Sequence, residues 1–179
     1  AAAHPEILDP ELALIRVVPT RKKFALCGFA ASTRGMAPYP DPEYEIWGMN
    51  QLYRHIPRAD RFFDIHENWR EDNVEGTDHP RWLAGCGIPI YMTERQPEVP
   101  TSVRFPLEAV KERVTGGLDY FTSSVAFMLG AAIWEIDRQV DEELAGIPES
   151  DFPRNPKEWA RLVRDRYAER EIAIFGIDL

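Results

Sequence analysis

Cysteine is scarce in this chain: 2 of 179 residues, Cys27 and Cys86, stand far apart in apolar surroundings. That arrangement offers no disulfide framework and leaves two buried thiols in a reducing compartment as the default. Basic residues are also in deficit, with 21 Lys and Arg against 30 Asp and Glu and a formal charge of -9. A protein that coats nucleic acid needs the opposite balance, because every phosphate it neutralises takes a Lys or Arg. An extended nucleic-acid surface is therefore excluded, whereas a local pocket for one nucleotide is not. No run approaches the ~18 apolar residues of a membrane span. The start, Ala1-Ala2-Ala3-His4-Pro5, lacks the basic-then-apolar pattern of an export signal. The expectation is a cytoplasmic protein, in a bacterium or a phage-infected host.

Three catalytic signatures are missing as well. Gly-x-Gly-x-x-Gly is absent, so Gly28 and Gly35 read first as turn residues. His-Glu-x-x-His is absent, and the scattered Asp64, His66, Glu67, Asp78 and His79 define no metal site by spacing. Without a Gly-x-Ser-x-Gly elbow, neither Ser32 nor Ser123 qualifies as a nucleophile. Cys27 sits inside an apolar run and reads as core.

What is present is an alternation of strand and helix patterns. Residues 1–20 mix Pro with short apolar patches and read as an arm; residues 21–179 read as one domain. Strands are expected at 24–29, 44–50, 60–66, 88–92 and 171–179. Short helices fall between them at 51–56, 80–84 and 105–114, with 93–106 as a loop. Pro89 argues for an edge or strand-entry position of its strand. Phe121, Val125, Met128, Leu129 and Ile133 recur at helical spacing, behind a Thr122-Ser123-Ser124 N-cap. The acidic stretch 136–155 is expected to extend that helix and then form a solvated excursion. Asn155-Pro156 then caps a last helix. The fold class is α/β: a Rossmann-like three-layer domain on a mostly parallel sheet of about five strands.

Ligands of open α/β sheets bind outside the carboxyl ends of the strands. That edge would hold Gly28 and Ser32 after the first strand, Asn50 after the second, Asp64 and His66 after the third, and Asp178 after the last. Thr122, Ser123 and Ser124 at a helix start form a natural anion seat. His66 is the favoured general base, with Asp64 beside it. The five tryptophans read as packing, although Trp69 in a polar loop could stack on a base.

Taken together, Ala25-Leu26-Cys27-Gly28-Phe29-Ala30-Ala31-Ser32, Trp47-Gly48-Met49-Asn50-Gln51-Leu52-Tyr53, Tyr120-Phe121-Thr122-Ser123-Ser124 and Glu171-Ile172-Ala173-Ile174-Phe175-Gly176-Ile177-Asp178 form a recognisable series. It resembles the Rossmann-like group of bacterial sialyltransferases that use CMP-sialic acid, to which 6-hydroxymethyl-dihydropterin diphosphokinases and many phage-encoded proteins look related. The resemblance spans 24–179. It implies a nucleotide or nucleotide-sugar pocket from Gly28, Ser32, Asn50, Thr122, Ser123, Ser124 and Asp178, and a transferase using a nucleotide-activated donor. Glycosyl and diphosphoryl transfer both stay open; the second would bring Mg²⁺.

The chain also departs from the group. Ala30-Ala31-Ser32 replaces Gly-Pro-Ser, Thr-Ser-Ser replaces Thr-Ser-Gly, and about twenty residues are inserted around 137–156. The sialyltransferases carry their His base and phosphate-binding Tyr residues after the Gly-Ile-Asp strand, where this sequence stops. The alternative is thus a non-catalytic accessory factor that binds a nucleotide or a protein. A shortened C-terminus, and a homo-oligomer in which two chains complete one site, stay open too.

Overall fold

Hydrophobic runs with alternating partners build the centre of the molecule. In the computed structural model, which describes residues 21–71 and 76–178, β1 (Lys23–Cys27) buries both faces. Phe24 and Leu26 enter one core, and Ala25 and Cys27 enter the other. A strand buried on both sides belongs at the centre of a parallel sheet, and β1 pairs with β2 (Tyr44–Met49) on one side and β6 (Glu171–Phe175) on the other. β3 (Arg61–Asp64), β4 (Ile90–Met92) and β5 (Ser102–Arg104) complete six parallel strands in the order β5-β4-β3-β2-β1-β6. The arm expected over residues 1–20 lies outside the described residues.

Helices cover both faces. The short α1 (Ala31–Arg34), a 3-10 turn (Asn50–Arg54) and α2 (His79–Gly85) occupy the links between β1 and β4. Ala37, Leu52, Leu83 and Val99, from the four links between β1 and β5, enter the core around Ile46, Phe62 and Ile90. The return from β5 to β6 carries α3 (Leu107–Val110) with a π-turn (Lys111–Thr115), α4 (Ser124–Ala145) and α5 (Pro156–Ala168). α4 lays Met128, Ala131, Ala132 and Trp134 on a row of rings from four adjacent strands. Phe24 and Trp47 are 4.9 Å apart, Trp47 and Phe63 5.2 Å, and Phe63 and Tyr91 4.8 Å.

A buried ionic group sits under the same helix. The Arg61 guanidinium is bidentate on Glu45, donates to the Tyr91 hydroxyl at 3.1 Å, and lies 3.8 Å from the Glu135 carboxylate of α4. Glu45 and Arg61 occupy positions near the starts of β2 and β3, so this group lies toward the end of the sheet opposite the strand carboxyl termini. Burial drives the Tyr91 phenol up to about 12 and raises the Glu135 carboxyl above the usual carboxylate range.

Two expectations need correction, and the choice left open for Pro89 is decided. The stretch 93–106 is not all loop, because β5 forms within it; a three-residue strand is too short to show periodicity. β4 is an interior strand, so Pro89 marks strand entry rather than the sheet edge. Trp69 is buried in the second core and covered by the Arg70 guanidinium 4.3 Å above its ring, so it has no free face for a base. The acidic stretch does extend the organising helix, as far as Ala145.

Candidate functional site at the carboxyl edge of the sheet

Because all six strands are parallel, their carboxyl ends lie on one edge. The chain builds β1 through β5 outward in one direction and then returns to place β6 beside β1. That reversal makes the β1/β6 junction the topological switch point, where open α/β sheets admit ligands. Two glycines close it. Gly28 N donates to Phe175 O at 2.8 Å and Ala30 N to Gly176 O at 2.7 Å. Gly176 has φ +69° and donates its N–H to Thr33 Oγ1 at 2.8 Å. The Ser32 hydroxyl donates to Asp178 Oδ1 at 2.6 Å, so the first and last loops are joined through two of the expected site residues. Both are exposed at the edge.

One strand along, Asn50 turns the chain out of β2 into the 3-10 turn. With φ 49° it is the one non-glycine residue in the left-handed region among the described residues. Asn tolerates that conformation better than most side chains.

Beyond it, a cavity of about 370 Å³ opens between the ends of β3 and β4 and the start of α4. Ile65, Phe121 and Phe127 form its apolar wall; His66, Glu67, Thr93, Thr122, Ser123 and Ser124 supply the polar one. Ser123 is the N-cap in extended conformation, and its Oγ accepts from Ala126 N at 3.3 Å. The hydroxyl of Ser123 is therefore engaged by the cap. Thr122 and Ser124 present theirs beside it, with the first-turn N–H groups that a helix leaves unpaired. Gly130 of α4 fixes this segment from behind: a Cβ there would come within 2.4 Å of the Phe121 ring, so the glycine lets that ring seat on the helix.

The acidic and histidine residues grouped by sequence separate in space. His66 and Glu67 line the cavity. Asp64 is fully buried, with Oδ2 2.5 Å from His79 Nε2 of α2, while the His79 ring stacks on Tyr53 at 5.7 Å. Asp64 lies in the strand position after Phe63, whose ring enters the core under α4, so its side chain takes the opposite face. Asp78 caps α2, accepting from Arg81 N at 3.1 Å. Among the described residues no three His, Cys, Asp or Glu side chains are grouped to hold a metal ion. Thr93 and Phe127 were not singled out as site residues from the sequence. The one available signal for Thr93 was its place directly after β4, at the carboxyl edge of the sheet.

Among the described residues the cavity lining contains no Lys or Arg. Three cations on nearby loops are matched locally: Arg70 with Glu98 at 2.7 Å, Arg104 with Glu94 at 3.4 Å and Lys111 with Asp119 at 3.2 Å; Arg95, two residues past Thr93, is exposed. An anion here is served by N–H groups, hydroxyls and the helix dipole rather than by cationic side chains. Cys27, buried at the end of β1, has its thiol pushed up to about 11 by desolvation and takes no part as a nucleophile.

The fold and this edge define an open parallel α/β domain of Rossmann-like three-layer form. Compared with protein-family models, curated proteins and solved structures, the chain matches none. None of the helices among the described residues is long and apolar enough to cross a membrane.

Proposed function

We propose that the carboxyl edge is a nucleotide site and that the protein is a transferase using a nucleotide-activated donor. The observation that carries this reading is the cavity at the N-terminus of α4. It gathers His66, Thr122, Ser123 and Ser124, four residues assigned to the site from sequence, around a space of about 370 Å³. Asn50 and the Ser32–Asp178 pair continue the polar row along the same edge. From β3 to β1 is two strand spacings, about 10 Å, so one extended ligand can reach from the helix start toward the switch point. Phosphate oxygens sit at Thr122–Ser124, and a ribose meets Asn50 or Asp178, whose amide and carboxylate suit hydroxyl groups.

His66 is the residue placed for proton transfer. In glycosyl transfer it takes the proton of an acceptor hydroxyl as the oxygen bonds to the donor carbon, and the nucleotide leaves with the electrons of the broken bond. Diphosphoryl transfer would add Mg²⁺, which binds through one or two carboxylates together with substrate phosphates. Among the described residues Glu67 is the one carboxylate lining the cavity, so the donor set fits a Mg²⁺ ion brought mainly by the ligand's phosphates. In that case the ion neutralises charge on the transferring group.

A second reading, a non-catalytic nucleotide- or protein-binding factor, draws support from the absence of Lys and Arg in the cavity wall. Transfer of a charged phosphoryl group is usually helped by such cations.

Thermal melts with CMP, CDP, CTP, ATP, GTP and NAD, each with and without Mg²⁺, test the proposal. A ligand at ~100 times its dissociation constant stabilises by about 2.7 kcal/mol. A shift confined to cytidine nucleotides supports glycosyl transfer, and a Mg²⁺-dependent shift with ATP supports diphosphoryl transfer. No shift with any of them removes the nucleotide reading.

A further inference from the structure

The two edges of the sheet are treated differently by the sequence. β5 is three residues long, follows Pro100 closely and is followed by Pro106, and it ends on an exposed Arg104. Those are the usual protections of an edge against strand addition. β6 has fewer of them. Its one charged residue is Glu171 at the start; Glu171-Ile172-Ala173-Ile174-Phe175 contains no Pro, no Lys and no Gly, and Ile174 is 45% exposed although the neighbouring strand β1 is buried from Phe24 to Cys27.

The direction of the free backbone groups follows from the ladder. Glu171 N donates to Lys22 O, and Phe175 O accepts from Gly28 N. In a parallel pair the bonding residues alternate. Glu171, Ala173 and Phe175 therefore bond β1, and the N–H and C=O groups of Ile172 and Ile174 point outward. Among the described residues no strand pairs with them.

We propose that this edge is an interface with a second copy of the chain, formed by antiparallel pairing of β6 with β6 about a two-fold axis at Ala173. One register satisfies the outward groups. It sets Ile172 opposite Ile174 of the other copy, as two hydrogen-bonded pairs sharing four N–H···O=C bonds. It puts Ala173 opposite Ala173 as the close, non-hydrogen-bonded pair between them. Glu171 then faces Phe175, so no like charges meet across the join, and the four isoleucine side chains form one apolar strip. A two-fold interface has to be self-complementary, and this strand is. The result is a continuous twelve-stranded sheet, two copies of six. This interface does not depend on the nucleotide reading, and its test needs no ligand.

Sedimentation of the full chain at tens of micromolar reads the state directly. The expected result is a dimer for the wild type and half that mass for Ile174→Lys, whose substitution is at an exposed position and leaves the fold intact by circular dichroism. Ala173→Cys gives a second readout, because non-hydrogen-bonded partners stand about 4.5 Å apart at Cα, within disulfide reach. Mild oxidation should link Ala173→Cys into a covalent dimer that the wild type, with Cys27 buried and Cys86 half-buried, does not form. A monomeric wild type would overturn the interface. So would a dimer that Ile174→Lys leaves whole while Ala173→Cys fails to cross-link, since the contact would then lie elsewhere.

Discussion

Gly28 and Gly176 meet backbone to backbone at the β1/β6 junction: a Cβ on Gly28 would lie 2.5 Å from Gly176 O, and one on Gly176 would lie 2.3 Å from Gly28 O. Neither contact can be relieved by a side-chain rotation, because both partners are main chain. The two glycines therefore hold the first and last strands at the separation that lets Ser32 reach Asp178.

Gly176→Ala should destabilise the fold by about 3 kcal/mol, combining the clash with the cost of a left-handed φ. For a domain of this size that is a fall of roughly 10 °C in melting temperature. Gly35→Ala, where a Cβ meets nothing within 4 Å, is the control and should melt like the wild type. Equal melting of Gly176→Ala and wild type would show that the junction is looser than described.

Ser32→Ala and Asp178→Ala remove one exposed hydrogen bond at the edge, and each should change stability by less than about 0.5 kcal/mol. If the edge binds a nucleotide, each should weaken the nucleotide that shifts the wild-type melt by roughly tenfold, near 1.4 kcal/mol. Titration calorimetry with that nucleotide separates the two effects; unchanged affinity in both variants would take the switch point out of the site.

Ser123→Ala and Ser124→Ala distinguish capping from binding. Ser123→Ala loses the bond to Ala126 N and should cost about 1 kcal/mol of stability. Ser124 makes no cap, so Ser124→Ala should melt like the wild type yet bind a phosphate-bearing ligand more weakly. Wild-type affinity in Ser124→Ala would remove that hydroxyl from the anion seat.

His79→Ala should destabilise by about 3 kcal/mol, because it leaves the Asp64 carboxylate buried without its partner. The comparison with His66→Ala is informative, since His66 lines the cavity and should affect turnover rather than melting. A stability loss from His66→Ala equal to that from His79→Ala would argue against a catalytic part for His66.

Glu135 gives the chain a pH dependence of defined sign. Burial raises its folded carboxyl above the unfolded value, so between those two values the native state holds a proton that the unfolded state has lost. Stability contributed by this group is full below the unfolded carboxylate range and declines as pH rises through the folded value. Arg61 and Arg138 oppose the shift, and Glu45 and Glu142 add to it. Glu135→Gln cannot ionise. Denaturant titrations from pH 4 to 8 should show it losing less stability toward high pH than the wild type; parallel profiles would mean that the Glu135 carboxyl titrates alike in the folded and unfolded states.

Local chemistry in the sequence was enough for five of the six strands and for the two long helices between β5 and β6. The unbroken apolar run Phe24-Ala25-Leu26-Cys27 announced a strand buried on both faces, and Asn155-Pro156 announced a helix start, since both signals act within a few residues. The Ser123 cap was legible for the same reason, and the parallel class followed from strands alternating with helices. Decisions that depend on distant residues were not available. β5 exists because its three residues find a place beside β4, not because of any pattern in Ser102-Val103-Arg104. The cluster around Asp64 looked like one acid–base group in one dimension, yet the two-residue period of a strand sends Asp64 to one face and His79 meets it there. His66 and Glu67 continue past the strand end into the cavity. Trp69 followed the same rule, since a polar loop in sequence says nothing about which core its largest side chain fills. Sequence determined five of the six strands, the caps and the candidate polar residues, because those follow from propensity and spacing. Tertiary structure decided which of them share a cavity, which are locked in pairs and in what order the strands lie, because packing and strand order join residues that propensity cannot connect.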